Sequence, residues 1–189
     1  LGSGICLMVL LLLLFAFSHT PCRGQITTKD SLRTLLDDSP SDTTRVNRSN
    51  DLVFAIILEV FKGFSPTDSL KKALQLTREA RRLSQGLKYD IGTINTLKNE
   101  GLIYYLNGEP KQAQKLYQKG VDLAEKTGNL EAQGRILINM GRLAEDDFYN
   151  DSLALEYYKQ ASRIASETGD AALSALSNRN IGVVLSSRS

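Results

Sequence analysis

The sequence predicts an all-α protein, an α-α superhelix built from antiparallel helix hairpins. Three observations carry this. First, a block of about thirty residues recurs at a spacing of 40 to 41: Asn99-Glu100-Gly101 returns as Asn139-Met140-Gly141 and again as Asn180-Ile181-Gly182. A fixed period in this range is the signature of stacked supersecondary units. Second, the positions between these triplets recur in kind. Ala113, Tyr117, Gly120 and Leu123 return as Ala154, Tyr158, Ala161 and Ile164, and Thr127-Gly128 returns as Thr168-Gly169. Third, positions 113, 116, 117, 120, 123 and 124 form an apolar stripe of helical period.

Each recurring position has a steric reason. Glycine inside a helix costs about 1 kcal/mol relative to alanine, so Gly101, Gly141 and Gly182 are expected where a neighbouring helix comes close. Ala113, Gly120, Ala154 and Ala161 fit the same account on the second helix of each pair. Tyr117 and Tyr158 fill the gap that these small residues leave. Thr-Gly then ends the helix, glycine supplying a left-handed residue after the last turn.

Small residues at the crossing with an aromatic beside them resemble the tetratricopeptide repeat. The second repeat carries the resemblance best, with Gly101, Tyr104, Gly108, Ala113, Tyr117 and Gly120 in order. The third keeps Gly141, Ala154, Tyr158 and Ala161 but has Ala144 where an aromatic is usual and one extra residue in its turn. Glu100 stands where the family prefers leucine, and the usual closing proline is absent. The period exceeds that of the family's 34-residue unit. The resemblance implies a right-handed solenoid divided as 43–87, 88–128, 129–169 and a partial fourth unit over 170–189.

Ahead of the repeats, residues 5 to 17 form an unbroken apolar run of thirteen, shorter than the roughly 20 residues that a spanning helix needs. The run fits the core of a secretory signal peptide over 1–24, with Cys22-Arg23-Gly24 at the cleavage site and Gln25 as the mature N-terminus. The alternative is lipidation at Cys22, for which Pro21 is a poor neighbour. The basic start is missing and Leu1 stands in place of an initiator methionine, so a truncated 5′ end is expected. Cleavage would remove both cysteines, Cys6 and Cys22, and the only histidine, His19. The remainder then has no disulfide, thiol nucleophile, imidazole base or Cys/His metal site. No cofactor and no enzymatic activity are expected, and the net charge of +2 gives no reason to expect nucleic acid.

Residues 25–42 are expected to hold a short amphipathic helix over 29 to 37, apolar at Leu32, Leu35 and Leu36, and a turn at Asp38-Ser39-Pro40-Ser41-Asp42. A first, degenerate repeat follows. Its leading helix spans 43 to 63, apolar at Val53, Ile56, Ile57, Val60 and Phe61. Ser65-Pro66-Thr67-Asp68 starts the next helix, in which Ala73, Thr77, Ala80 and Leu83 align with Ala113, Tyr117, Gly120 and Leu123. The acidic turn from Glu145 to Asp151 lacks the central glycine and closing glutamate of a calcium loop and reads as a solvated turn with a helix cap. From 170 to 187 a leading helix begins a fourth unit. Ile181, Val183, Val184 and Leu185 are expected to face a partner helix, and the natural protein is expected to continue past Ser189.

Leading helices line the concave groove in the architecture the resemblance implies. The expected groove residues are Asn95, Lys98, Asn99, Leu102 and Tyr105, then Arg135, Ile138, Asn139 and Arg142, then Leu176, Arg179, Asn180 and Val183. In the tetratricopeptide family an asparagine near the position of Asn99, Asn139 and Asn180 often bonds the backbone of a bound peptide. Bonding to a neighbouring helix is the other reading of these residues. Lys98, Arg135, Arg142 and Arg179 would favour an acidic segment or a terminal carboxylate. The layout is also similar to the extracytoplasmic half of Bacteroidota sensor histidine kinases. It implies a periplasmic sensory scaffold, tethered to a membrane and joined to a kinase core only through segments beyond Ser189. A stand-alone secreted or periplasmic adaptor is the alternative.

Overall fold

The computed structural model describes residues 29–62 and 67–187. The leader, both cysteines, His19, Gln25 and the Ser65-Pro66 helix start lie outside these residues. Eight helices are present among the described residues: α1 (Lys29–Asp37), α2 (Thr43–Phe61), α3 (Thr67–Gly86), α4 (Asp90–Leu106), α5 (Pro110–Thr127), α6 (Leu130–Asp146), α7 (Asp151–Thr168) and α8 (Ala171–Ser186). The expected all-α superhelix is what forms.

Local chemistry sets the boundaries. The Asp42, Asn129, Asn150 and Asp170 side chains accept backbone N–H bonds at the starts of α2, α6, α7 and α8, satisfying donors that the first helical turn leaves without partners. Gly128 and Gly169 close α5 and α7 with φ of 69° and 71°, a conformation that costs glycine little and other residues more. The acidic turn is shorter than the sequence suggests. Glu145 and Asp146 complete α6, so the link to α7 is 147–150, one residue longer than the 107–109 link between α4 and α5.

The helices pair in sequence order as α2/α3, α4/α5 and α6/α7, with α8 packed on α7 and α1 against α2. Beyond these sequential contacts, α2 meets α4, α4 meets α6 and α6 meets α8, whereas α3, α5 and α7 do not touch one another. Close leading helices and splayed second helices make a curved stack whose inner wall is α2, α4, α6 and α8.

Two tyrosines hold the hairpins together. A β-carbon on Gly101 would sit 2.5 Å from Tyr117 Cε1, and one on Gly141 would overlap the Tyr158 ring. Both rings are buried, as are Ala113, Ala154 and Ala161 beside them. Gly120 serves the next interface, where a β-carbon would come within 2.8 Å of Ile136 Cδ1. The expectation for Gly182 does not hold among the described residues: it is exposed with nothing within 4 Å of a β-carbon. Two glycines without a sequence-based assignment are buried at contacts, Gly92 against Val46 and Tyr89, and Gly134 against Leu173 and Ile164.

The apolar core forms two clusters. One centres on Tyr117, Leu143 and Tyr158 and runs through the second and third hairpins; the other joins Val53, Ile57 and Ala73 to Ile103 of α4. The α3–α4 junction has a strong polar component. Glu100, 3% exposed, pairs with Arg78 at 3.2 Å and Arg81 at 2.6 Å, and the Ser84 and Thr93 hydroxyls meet at 3.0 Å. This explains an acid where a leucine is usual: α3 brings two guanidiniums to meet it.

Glycine substitutions separate these environments. Gly141→Ala should destabilise the protein by about 1–3 kcal/mol because the Tyr158 ring must shift in a filled core. Gly182→Ala, in an open helical position, should stabilise it by about 0.5–1 kcal/mol. Urea denaturation of the two variants checks both signs.

Candidate interaction groove

The inner wall is assembled from positions that alternate by three and four along each leading helix, which places them on one face. On α4 these are Ile91, Asn95, Lys98, Leu102 and Tyr105; on α6, Glu131, Arg135, Ile138 and Arg142; on α8, Leu176, Arg179 and Val183. The same spacing on α2 gives Asp51, Phe54, Leu58 and Phe61. A cavity of about 370 Å³ lies among α2, α4 and the start of α6, bordered by Asn50, Asp51, Phe54, Ile91, Asn95, Lys98, Asn99, Glu131 and Arg135, with Asn129 and Ala132.

Of the sequence-predicted residues, Asn95, Lys98, Asn99 and Arg135 converge on this cavity. Tyr105 and Arg142 come together further along the helices. The Arg142 guanidinium lies 5.4 Å from the Phe61 ring centroid and 6.0 Å from that of Tyr105, within reach of a cation–π attraction. The Tyr105 hydroxyl donates to Asp146, and partial burial with this bond pushes the phenol up to about 12. Leu176, Arg179 and Val183 are exposed on α8, while Asn139 and Asn180 are half-buried.

Several expectations are corrected. Asn99, 3% exposed, donates through Nδ2 to Asn50 Oδ1 at 3.1 Å, so its first partner is a neighbouring helix. Leu102 and Ile138 are buried and belong to the packing beneath the groove. Arg135 is held by Glu131 at 3.1 Å and Asp170 at 3.2 Å, and Asp51 lies close enough to Lys98 to interact with it. Two of the four expected cations, Lys98 and Arg135, therefore have carboxylate neighbours, one turn away or on a neighbouring helix, while Arg142 lies against the Phe61 and Tyr105 rings. In α8, Val184 is fully buried, while Val183 and Leu185 remain exposed, so only part of the expected apolar set lacks cover.

The α2 contribution was missed. Phe61 reads as core from spacing, yet it is 45% exposed and meets Arg142; Phe54 and Leu58 are exposed at 48% and 42%. A partial signal was present: Phe54 and Leu58 lie on a row offset from Val53, Ile56 and Ile57, whereas Phe61, one turn after Ile57, is compatible with either row. In the acidic turn, Asn150 caps α7, while Asp146 and Glu145 accept from Tyr105 and Tyr158. Among the described residues no group of three or more His, Cys, Asp or Glu side chains is arranged to hold a metal, and no helix is long and apolar enough to cross a membrane.

Residues 94–167 match the tetratricopeptide repeat family. The matched segment runs from α4 to the end of α7, the two hairpins whose tyrosines seat on glycine. Tetratricopeptide repeats in a stacked helical fold are the architecture of a protein–protein interaction scaffold. No curated protein matches the chain.

Lys98 gives this groove a measurable electrostatic signature. Burial, aided by Arg135, pulls its ammonium below the usual lysine range, against the opposing pull of Glu131 and Asp51. The charged form is thus less stable folded than unfolded, so the native state is at a disadvantage below the folded pKa and recovers as pH rises toward the ordinary lysine value. Lys98→Met should raise the melting temperature at neutral pH, and the gap to wild type should narrow as pH rises from neutral toward the ordinary lysine value of about 10.4. Thermal melts of both proteins across that range measure it.

Proposed function

We propose that the concave wall binds a peptide or protein segment, and that this scaffold serves as the extracytoplasmic sensory part of a signalling protein. The observation that supports binding most directly is the exposed stripe Phe54, Leu58 and Phe61, whose last ring meets Arg142 of α6. Large apolar side chains gathered on one concave face are the composition of an interaction surface rather than of a solvated one. Asn95, Asn139 and Arg142 supply polar contacts beside it. Because the cations at Lys98 and Arg135 have carboxylate neighbours, apolar contact contributes more of the affinity than attraction to an acidic ligand. Catalysis forms no part of this reading. Placement outside the cytoplasm rests on the leader-like run at 5–17, and the kinase context on the layout of leader, short helix and repeats.

Photo-crosslinkers at Leu58, Phe61 and Leu176 should trap a partner from an envelope fraction, and crosslinkers at Glu156 and Lys159 on α7 should not. Phe54→Ala with Phe61→Ala should weaken binding of the trapped partner by about tenfold or more. Unchanged affinity after Asn139→Ala plus Arg142→Ala, together with equal trapping from both faces, would overturn the assignment.

A further inference from the structure

Each end of the stack lacks what the other end has. Helices α3, α5 and α7 each pack on the leading helix before them and on the one after, so α4 and α6 meet a second helix on both sides. Helix α8 is a leading helix with a second helix on one side only: among the described residues it touches α7 and α6 and no other helix. Helix α1 is the converse. It precedes α2 and packs on it as α3 precedes and packs on α4, and it touches no other described helix. The uncovered face of α8 is the counterpart of a buried one. On α6, Leu137, Met140, Gly141 and Ala144 are buried, and the Tyr158 ring of α7 lies against Gly141. One repeat on, Asn178, Gly182 and Leu185 are exposed and Ile181 is half-buried, with Leu185 at 54%. Nothing lies within 4 Å of where a Gly182 β-carbon would stand, so a further helix can approach α8 as closely as α7 approaches α6. On α1, Leu36 is buried in the cluster with Val53 and Ile57, while Leu35 is 42% exposed. The charges of the two ends also differ in sign. Helix α8 carries Arg179 and no acid, whereas α1 and the turn after it carry Asp30, Asp37, Asp38 and Asp42 against Lys29 and Arg33. Lys29 is itself engaged by Glu59 at 2.6 Å.

We infer that the uncovered face of α8 receives α1 of a second copy of this chain, so that copies join end to end. Helix α1 then lies between two leading helices, α8 of one copy and α2 of its own, which is the position that α3, α5 and α7 occupy within a chain. Leu35 turns toward Ile181 and Leu185, and the contact removes all three from water. The acids of α1 meet an end whose helix carries a cation and no carboxylate, so the approach is attractive. With nine residues in α1, the joint is smaller than a hairpin contact, and the association is weak and concentration-dependent. A contact between unlike ends leaves one of each kind exposed in every oligomer, so growth is open and does not close at a pair. This goes beyond the peptide-groove reading and does not require it, because neither Leu35 nor Leu185 belongs to the inner wall.

The test places a photo-crosslinker at Leu185 of the full chain and mixes equal parts of ¹⁴N and ¹⁵N protein, so that joined copies are recognised by mass. Adducts between copies should map to residues 29–37, and a crosslinker at Leu35 should map to residues 171–186. Sedimentation equilibrium from about 10 µM to about 1 mM should show the mean mass rising past that of a dimer. Leu35→Glu and Leu185→Glu, both at exposed positions, should each weaken association by about tenfold or more. A mixture of the two variants retains one compatible pair of ends and should recover association that stops at a dimer. That recovery also shows that each variant remains folded at its intact end. Adducts from Leu185 that map to residues 171–186 of the second copy, association unchanged in both variants, no recovery in the mixture, or a monomer throughout the range would overturn the inference.

Discussion

Everything in this fold depends on an aromatic ring resting on a bare backbone. Tyr117 against Gly101 and Tyr158 against Gly141 bring the two helices of a hairpin close enough that no β-carbon fits between them. The ring buries more apolar area than the helix loses by accepting glycine. Small residues on either side, Ala113 and Gly120 or Ala154 and Ala161, let the second helix lie flat along the first. The hairpin angle that results is repeated, and repetition of one angle curves the stack. The inner wall is a consequence of that curvature and not of any single side chain on it.

The first hairpin reaches a similar arrangement without the aromatic. Thr77 occupies the tyrosine's place, fully buried, and its hydroxyl returns a 2.7 Å bond to the Ala73 carbonyl one turn earlier. Leu36 of α1 adds to the cluster formed by Val53, Ile57 and Ala73. An extra helix thus contributes apolar contacts to a repeat whose own packing residues are smaller. This also accounts for the family match beginning at residue 94, after that hairpin.

The fold was legible because its determinants are periodic. Gly101, Tyr117 and their copies declare themselves by recurrence, and helix ends follow from short-range chemistry at Asn150, Asp170, Gly128 and Gly169. The groove was only half legible. Counting around α4 and α6 places Lys98, Arg135 and Arg142 on the right face, but counting says nothing about what stands opposite. Asn50 meets Asn99 across 49 residues of sequence and Phe61 meets Arg142 across a still longer interval; neither pairing has a period to reveal it. The two apolar rows of α2 illustrate the same limit. Spacing sets Phe54 and Leu58 apart from Val53, Ile56 and Ile57, and only the neighbours decide which row is core and where Phe61 belongs. The buried Glu100 was visible as a departure from the repeat pattern, while its reason, Arg78 and Arg81 on the preceding helix, required the packed structure.

That departure has a mechanical consequence. Apolar contacts within a hairpin resist separation through the water they exclude, whereas ion pairs and hydroxyl contacts have water as a ready substitute. A stack of units whose stability is a sum of neighbour terms comes apart first at its most replaceable joint. With Glu100, Ser84 and Thr93 between α3 and α4, the first hairpin is held to the tyrosine-locked hairpins partly by such replaceable contacts and partly by the apolar cluster of Val53, Ile57 and Ala73 with Ile103. Water entering this joint meets the polar share first, and the apolar share is what keeps the first hairpin on the stack.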